Sequence, residues 1–349
     1  MENKTQEFKT QLTKVNDAYL PLITKQLENN NITFSEYAKS CTVNAIAAIN
    51  NALDAQGISW SDPSLDTSNM TQVLLTVATL QLNATTTANE VYFQIRNVGV
   101  KAPDGKSTIW KKKIELGVQA EGFDALLARF GRNVKKVFPH WLVKENDDFE
   151  YPRFNGLEMT PPQWTPKGEG KCVRVVYPIL HNDDSVHFYI AERADVKRNL
   201  IAHISNNLMN ETFGVCADRY KATDEQKQQI AEKKRELLNR AKEFDLETLL
   251  DSAEFDKFIS PAWKEEQSRE SMIIRKMRNN ITKKIPKSFA TSLENEIFNE
   301  STDEAYKLHK AEMLEAANEP LEDAEIIDVE PIAENVDKTT GEVVDKPEF

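Results

Sequence analysis

The residues best placed to do chemistry in this sequence are two clusters of lysine and arginine, and what such clusters do is neutralise phosphates. Residues 96–144 hold 11 Lys or Arg against 4 Asp or Glu, and residues 263–287 hold 8 against 3. In the first stretch Arg96, Lys101, Lys106, Lys111, Lys112 and Lys113 accompany Tyr92, Phe93 and Trp110. Cations for a phosphate backbone therefore lie beside flat rings on which bases can stack. The alternative is a solvated hairpin whose aromatics face the core; alternation assigns Phe93 to the core and leaves Tyr92 and Trp110 open. Arg129, Arg132, Lys135 and Lys136 continue this stretch. In the second, Arg275, Lys276, Arg278, Lys283, Lys284 and Lys287 place six cations in thirteen positions with no acid between them. A helix gains nothing from that self-repulsion, so an anionic partner is expected, either a nucleic acid or the chain's own acidic end.

Other chemistries fit less well. Gly99 followed by Gly105-Lys106-Ser107 resembles a phosphate-binding loop, but the glycines are one position too far apart. The segment after Ser107 also reads as a strand, where phosphate cradling requires a helix N-terminus. His181 and His187 near Cys172 lack the paired spacing of a metal site. Asp147-Asp148 and Asp183-Asp184 are candidate Mg²⁺ ligands for a nuclease, yet neighbours in a strand point to opposite faces, and both pairs sit where turns favour Asp. No metal, nucleotide cofactor or catalytic group is expected.

The chain has 349 residues and a net charge of -12, which by itself argues against a polyanionic ligand. The charge is not evenly spread. Residues 312–349 hold 13 acids and 2 bases, so the remaining 311 residues are near neutral at -1. An acidic tail behind a neutral body with two basic stretches is a pattern of nucleic-acid binders whose tails recruit basic partners or restrain binding. The length suits two average domains or one elaborated domain. Three widely spaced cysteines, a polar N-terminus and no long apolar run predict a cytoplasmic protein without a disulfide framework or membrane span.

Periodicity supplies the elements that must position these residues. Residues 1–33 read as a peripheral helical segment with a role in self-association, ending at Asn29-Asn30-Asn31. Apolar positions from Tyr37 to Leu53 recur at helical spacing and stop at Gly57, and Ser68-Asn69 caps a helix through Leu80. Val91, Phe93 and Ile95 then alternate as in a strand, Asp104-Gly105 turns the chain, and Thr108–Leu116 returns. A helix over Glu121–Phe130 ends at Gly131, a C-terminal stop. Strands come next at 134–143, broken by Pro139, and at 149–151. A long connection spans 152–170, and a second hairpin pairs 172–179 with 186–191. The rest to about Ala317 reads as helical, with a strongly charged piece at Thr223–Glu243 and an apolar stripe of Met272, Met277 and Ile281. Residues 318–349 are too acidic and too poor in apolar residues to fold. The class is α+β: N-terminal helices, a hairpin-rich antiparallel sheet with a packed helix, C-terminal helices and an acidic tail.

This order of segments resembles the RecT family of phage-type single-strand annealing proteins, at four places. Ala78-Thr79-Leu80-Gln81-Leu82 followed by Val91-Tyr92-Phe93-Gln94-Ile95 is similar to the family's helix end and first strand. Leu116-Gly117 then Gly122-Phe123, Leu126, Arg129 and Gly131 is similar to its glycine turn and helix. Val143 to Tyr151 resembles its Val-x-Glu-x-Asp-x-Phe-x-aromatic hairpin. Trp263 followed by Arg275-Lys276-Met277 resembles its late helix, and Glu192-Arg193 resembles the short segment after the second hairpin. The chain departs from the family at Glu270-Ser271, where paired lysines are expected, and over residues 205–250, an added helical segment in a core that spans 34–317.

The resemblance implies ATP-independent binding of single-stranded DNA and annealing of complementary strands in phage-type recombination, by a ring or filament of identical subunits. It implies no enzymatic activity, and as partners an annealed duplex intermediate, an exonuclease and a host single-strand-binding protein. Together with the charge pattern it makes Lys111, Lys112, Lys113, Arg129, Arg132, Lys135 and Lys136 candidates for one side of a DNA groove, with Arg96, Lys101, Trp110 and Arg193 as further DNA-binding candidates; Arg129 has the alternative of pairing with an acid to hold its helix. Arg275, Lys276, Arg278, Lys283 and Lys284 are candidates for the other side. The competing expectations are a Mg²⁺-dependent nuclease and a non-catalytic adaptor whose basic stretches hold the acidic tail.

Overall fold

Each N-terminal helix begins where a short polar side chain satisfies a free backbone N–H. The computed structural model describes residues 10–101, 107–217 and 221–302. Thr10 caps α1 (Gln11–Asn29), Ser35 caps α2 (Glu36–Asp54) and Asp66 caps α3 (Thr67–Leu80) by accepting from the Asn69 N–H. The expected Ser68-Asn69 cap is thus displaced by two residues, because the Asp66 carboxylate is the acceptor that reaches the first turn. Gly57 has φ +66, a left-handed conformation that costs glycine nothing, just past the end of α2. Val15, Ile23 and Leu27 of α1 lie in the first hydrophobic core with Ile46, Ile49, Leu74 and Leu80.

β1 (Val91–Lys101) and β2 (Thr108–Val118) pair antiparallel over their full length, from Val91 opposite Val118 to Lys101 opposite Thr108. The Asp104-Gly105 turn lies outside the described residues. The inner half of this ribbon packs Val91, Phe93, Ile95 and Ile114 onto the helices, while its outer half is exposed on both faces. α4 (Ala120–Phe130) comes next and lies between two cores: Phe123 and Leu126 join the first, and Leu127 joins the second. Gly131 ends α4 as expected, with φ -60 rather than a left-handed conformation. The chain instead leaves α4 extended and pairs with a later segment.

The second core lies under a four-stranded sheet. β9 (Cys172–His181) is central, with β10 (Val186–Glu192) on one side and β3 (Val134–Val137) and β4 (Trp141–Lys144) end to end on the other. The strand expected at 149–151 forms as β5 (Asp148–Glu150) and pairs β8 (Gln163–Thr165), and within the expected connection β6 (Arg153–Asn155) pairs β7 (Glu158–Thr160), so β6, β7 and β8 are strands where a loop was expected. Strands of three residues are too short to show alternation in a sequence.

Arg193–Val196 form a single 3-10 turn before α5 (Lys197–Asn207), α6 (Asp224–Glu243) and α7 (Leu246–Asp251). Thr223 and Gln226 form a reciprocal capping box that starts the charged helix α6. The segment 205–250 is integral to the fold, since Ala241, Leu246, Leu249 and Leu250 are buried in the second core. α8 (Pro261–Lys264), α9 (Glu266–Thr282) and α10 (Ser292–Thr302) complete the order. The buried stripe of α9 is Ile273, Met277 and Ile281, at intervals of four, with Met272 and Ile274 only flanking it. The acidic end beyond Thr302, including residues 318–349, lies outside the described residues.

Candidate nucleic-acid interface

The two basic stretches meet. After α4 the Arg132 N–H donates to the Pro286 carbonyl at 2.8 Å, and the Ser288 N–H donates to the Phe130 carbonyl at 2.8 Å, so Gly131 pairs with Lys287 as in an antiparallel sheet. This strand-like bridge places Arg132, at the mouth of β3, beside the cations that come after α9. Lys283 lies 4.8 Å from the Phe123 ring centroid, so the end of α9 also rests on the face of α4.

Several predicted contact residues prove to be committed elsewhere. Arg129 donates to both Glu90 carboxylate oxygens at 3.0 and 3.2 Å and to the Gln81 carbonyl at 2.8 Å, with its guanidinium over the Tyr37 ring. Glu90 is itself buried and also accepts from the Asn83 N–H. Gln81 is the left-handed cap of α3, so this knot joins α2, α3, β1 and α4. Arg278 bridges α9 to α4, donating to Glu121 at 2.7 Å, to Asp124 at 2.6 Å and to the buried Tyr177 hydroxyl at 3.0 Å. Burial, with Asp124 alongside, drives the Tyr177 phenol well above its ordinary range. Arg193 donates to Glu247 and Glu270, each at 2.7 Å, and to the Cys172 carbonyl. Glu270, standing where the family resemblance led us to expect lysine, therefore balances a buried arginine.

On the ribbon, opposite residues share a face, so Arg96, Lys111 and Lys113 lie on one side, with Lys112 and Trp110 on the other. Lys112 binds Asp62 at 2.6 Å and Lys113 lies 3.6 Å from Asp66, tying the ribbon to the start of α3. The Lys112 ammonium holds the Asp62 carboxyl far below the usual carboxylate range. Arg96 pairs with Glu115 across the strands. Lys111 has no carboxylate partner among the described residues, and Trp110 is 66% exposed. Of Lys101 only the backbone is described, and Lys106 lies outside the described residues.

The remaining candidates are on or near the solvent. Arg132, Lys135 and Lys136 are exposed; Lys135 pairs with Asp184 at 2.5 Å, and the Lys136 ammonium sits over the Phe138 ring. Arg275 donates to the Met272 sulfur, Lys276 lies 5.9 Å from the buried Trp263 ring, and Lys284 is exposed beside β10. What sequence reasoning missed is a run of rings on the outer face of the four-stranded sheet. Trp141 stacks on Trp164 at 5.6 Å and meets Phe188 at 5.7 Å. Trp141, Trp164 and Phe188 come from β4, β8 and β10, and no local pattern in the sequence links the three.

The acidic pairs have structural duties. Asp147 accepts from the Lys144, Lys167 and Gly168 N–H groups and from the Trp164 indole, which holds its carboxyl down to about 2. Asp183 caps its own turn by accepting from Ser185. His181 and His187 stand 4.4 Å apart ring to ring, but Cys172 is at the opposite end of β9. Among the described residues no group of three or more His, Cys, Asp or Glu is placed to hold a metal ion, and no helix is long and apolar enough to cross a membrane. Compared with models of known protein families and with curated proteins, the chain finds no match in either.

Proposed function

We propose that this protein binds single-stranded DNA and anneals complementary strands without ATP, as a homo-oligomer in phage-type recombination. The observation that carries this reading is the bridge between Gly131 and Lys287, which joins two basic stretches more than 150 positions apart into one surface. Carboxylates of the chain itself compensate Arg129, Lys135 and Arg278, and a polyanion would compensate Arg132, Lys136 and Lys284. An annealing protein must hold phosphates, leave base edges open and continue the groove into its neighbour, none of which requires a bond-breaking group. Arg129, Arg193 and Arg278 serve this surface as scaffold. Lys111, Arg132, Lys136 and Lys284 are the cations that touch phosphates, with Lys135, Arg275, Lys276 and Lys283 beside them. Partners in this reading are the annealed duplex, further copies of the chain, an exonuclease and a host single-strand-binding protein.

The test mixes complementary oligonucleotides with the protein in the absence of ATP and tracks pairing by fluorescence. Acceleration over the spontaneous rate is expected; its absence at every protein concentration overturns the reading.

A further inference from the structure

The outer face of the four-stranded sheet carries rings that the second core does not use. Side chains alternate along β9: Val175, Tyr177 and Ile179 point into the core, and Val176, Pro178 and Leu180 point outward. Register sets the outward residues of the neighbouring strands. Phe188 lies opposite Pro178, Trp141 and Ile190 lie opposite Val176, and Lys136 and Val186 lie opposite Leu180. Trp164 from β8 stacks on Trp141 with planes only 25° apart, and its indole N–H is fixed by Asp147 at 2.9 Å. The result is a row of three partly exposed rings, Trp164, Trp141 and Phe188, held by sheet geometry rather than by flexible loops.

Charge decides what such a row fits. Lys136 stands on the same face one strand from Leu180. Lys284 borders the edge of β10 in a small cleft with Ile190, where Arg198 is paired with Asp195 at 3.3 Å. Rings that share a face with the Lys136 cation suit a single-stranded polyanion whose bases lie flat, whereas an apolar protein partner would bury that charge without a counter-ion.

We propose that Trp164, Trp141 and Phe188 form a stacking platform for unpaired bases, with Lys136 neutralising the adjoining phosphate. This rests on the single-strand reading above and adds a second contact to the phosphate surface at the bridge. The platform is sequence-tolerant, since every base has a π-face, and it is lost to a fully paired duplex, whose bases are stacked on each other.

The test compares two labelled oligonucleotides of equal length, one bearing thymines throughout and one wholly abasic. Wild-type protein is expected to bind the thymine strand at least about tenfold more tightly. Phe188→Leu and Trp164→Leu should each shrink that ratio severalfold while leaving the abasic affinity in place, which also shows that the fold survives. A ratio unchanged in both variants, or lost only in Trp110→Leu, overturns the platform. If either variant weakens abasic binding as well, tryptophan emission of the Trp110→Leu protein decides. Quenching by the thymine strand but not by the abasic strand supports the platform, and no quenching overturns it. Equal binding of both strands by the wild type sinks the platform alone, whereas binding of neither at low salt sinks the single-strand reading with it.

Discussion

The Arg278 guanidinium on α9 lies 2.6 Å from the Asp124 carboxylate on α4, and this pair clamps the helix of the second basic stretch to the helix that precedes β3. The arginine side chain is only 12% exposed, and Glu121 and the Tyr177 hydroxyl occupy its other donors. Removing the arginine leaves the half-buried Asp124 and the more exposed Glu121 without their shared cation.

Arg278→Ala is therefore expected to lower unfolding stability by about 3 kcal/mol. Denaturant unfolding measures this directly. An unchanged midpoint together with weakened DNA binding would instead make Arg278 a contact residue.

Gly122 gives a second structural prediction. A Cβ built there would stand 2.2 Å from the Glu90 carbonyl oxygen, a backbone atom that cannot swing aside. Alanine favours helix by about 1 kcal/mol over glycine, but the clash outweighs that gain, so Gly122→Ala should destabilise by about 1–3 kcal/mol. Because Glu90 holds Arg129, the Arg129→Ala substitution should cost less in the Gly122→Ala background than in the wild type, which a double-mutant cycle reads.

Phosphate contacts have a different signature. Alanine at Lys111, Arg132, Lys136 or Lys284 should leave the thermal midpoint nearly unchanged and lower the slope of log affinity against log salt by about 0.7 per cation removed. Binding isotherms at several salt concentrations check this. A variant that keeps the full slope takes its residue off the interface.

Lys287 predicts a pH dependence. Burial, with Lys283 nearby, lowers its ammonium pKa to about 8 from an ordinary 10.5. Between those values the unfolded chain holds more protons than the folded one, so stability from this group rises with pH. It is complete above the ordinary pKa and lost as pH falls through about 8. The stability of wild type relative to Lys287→Met should thus improve between about pH 7 and about pH 10, as thermal unfolding of both proteins reports. A constant difference would mean that Lys287 titrates as an exposed lysine.

The ribbon β1–β2 and helices α2 and α4 were legible because alternation and helical spacing are local, and each element is long enough to show its period. The ion-pair partners were not. Arg129 finds Glu90 at a sequence distance of 39, and Arg278 finds Asp124 at 154. No local pattern separates an arginine that will meet a carboxylate of the chain from one that will face solvent, so the partners of Arg129, Arg193 and Arg278 could not be named from sequence. The same limit hid the row of Trp141, Trp164 and Phe188, each an ordinary strand residue until register brings the three together.

The strand-like bridge from Gly131 to Lys287 also orders events in time. It closes a loop of 156 positions, and closing a long loop costs chain entropy that only the finished contacts repay. The cations on either side of it become one surface late in folding. A nascent chain that has not yet emerged past Ser288 cannot form this bridge, so the two basic stretches stay apart until synthesis of the body is nearly complete.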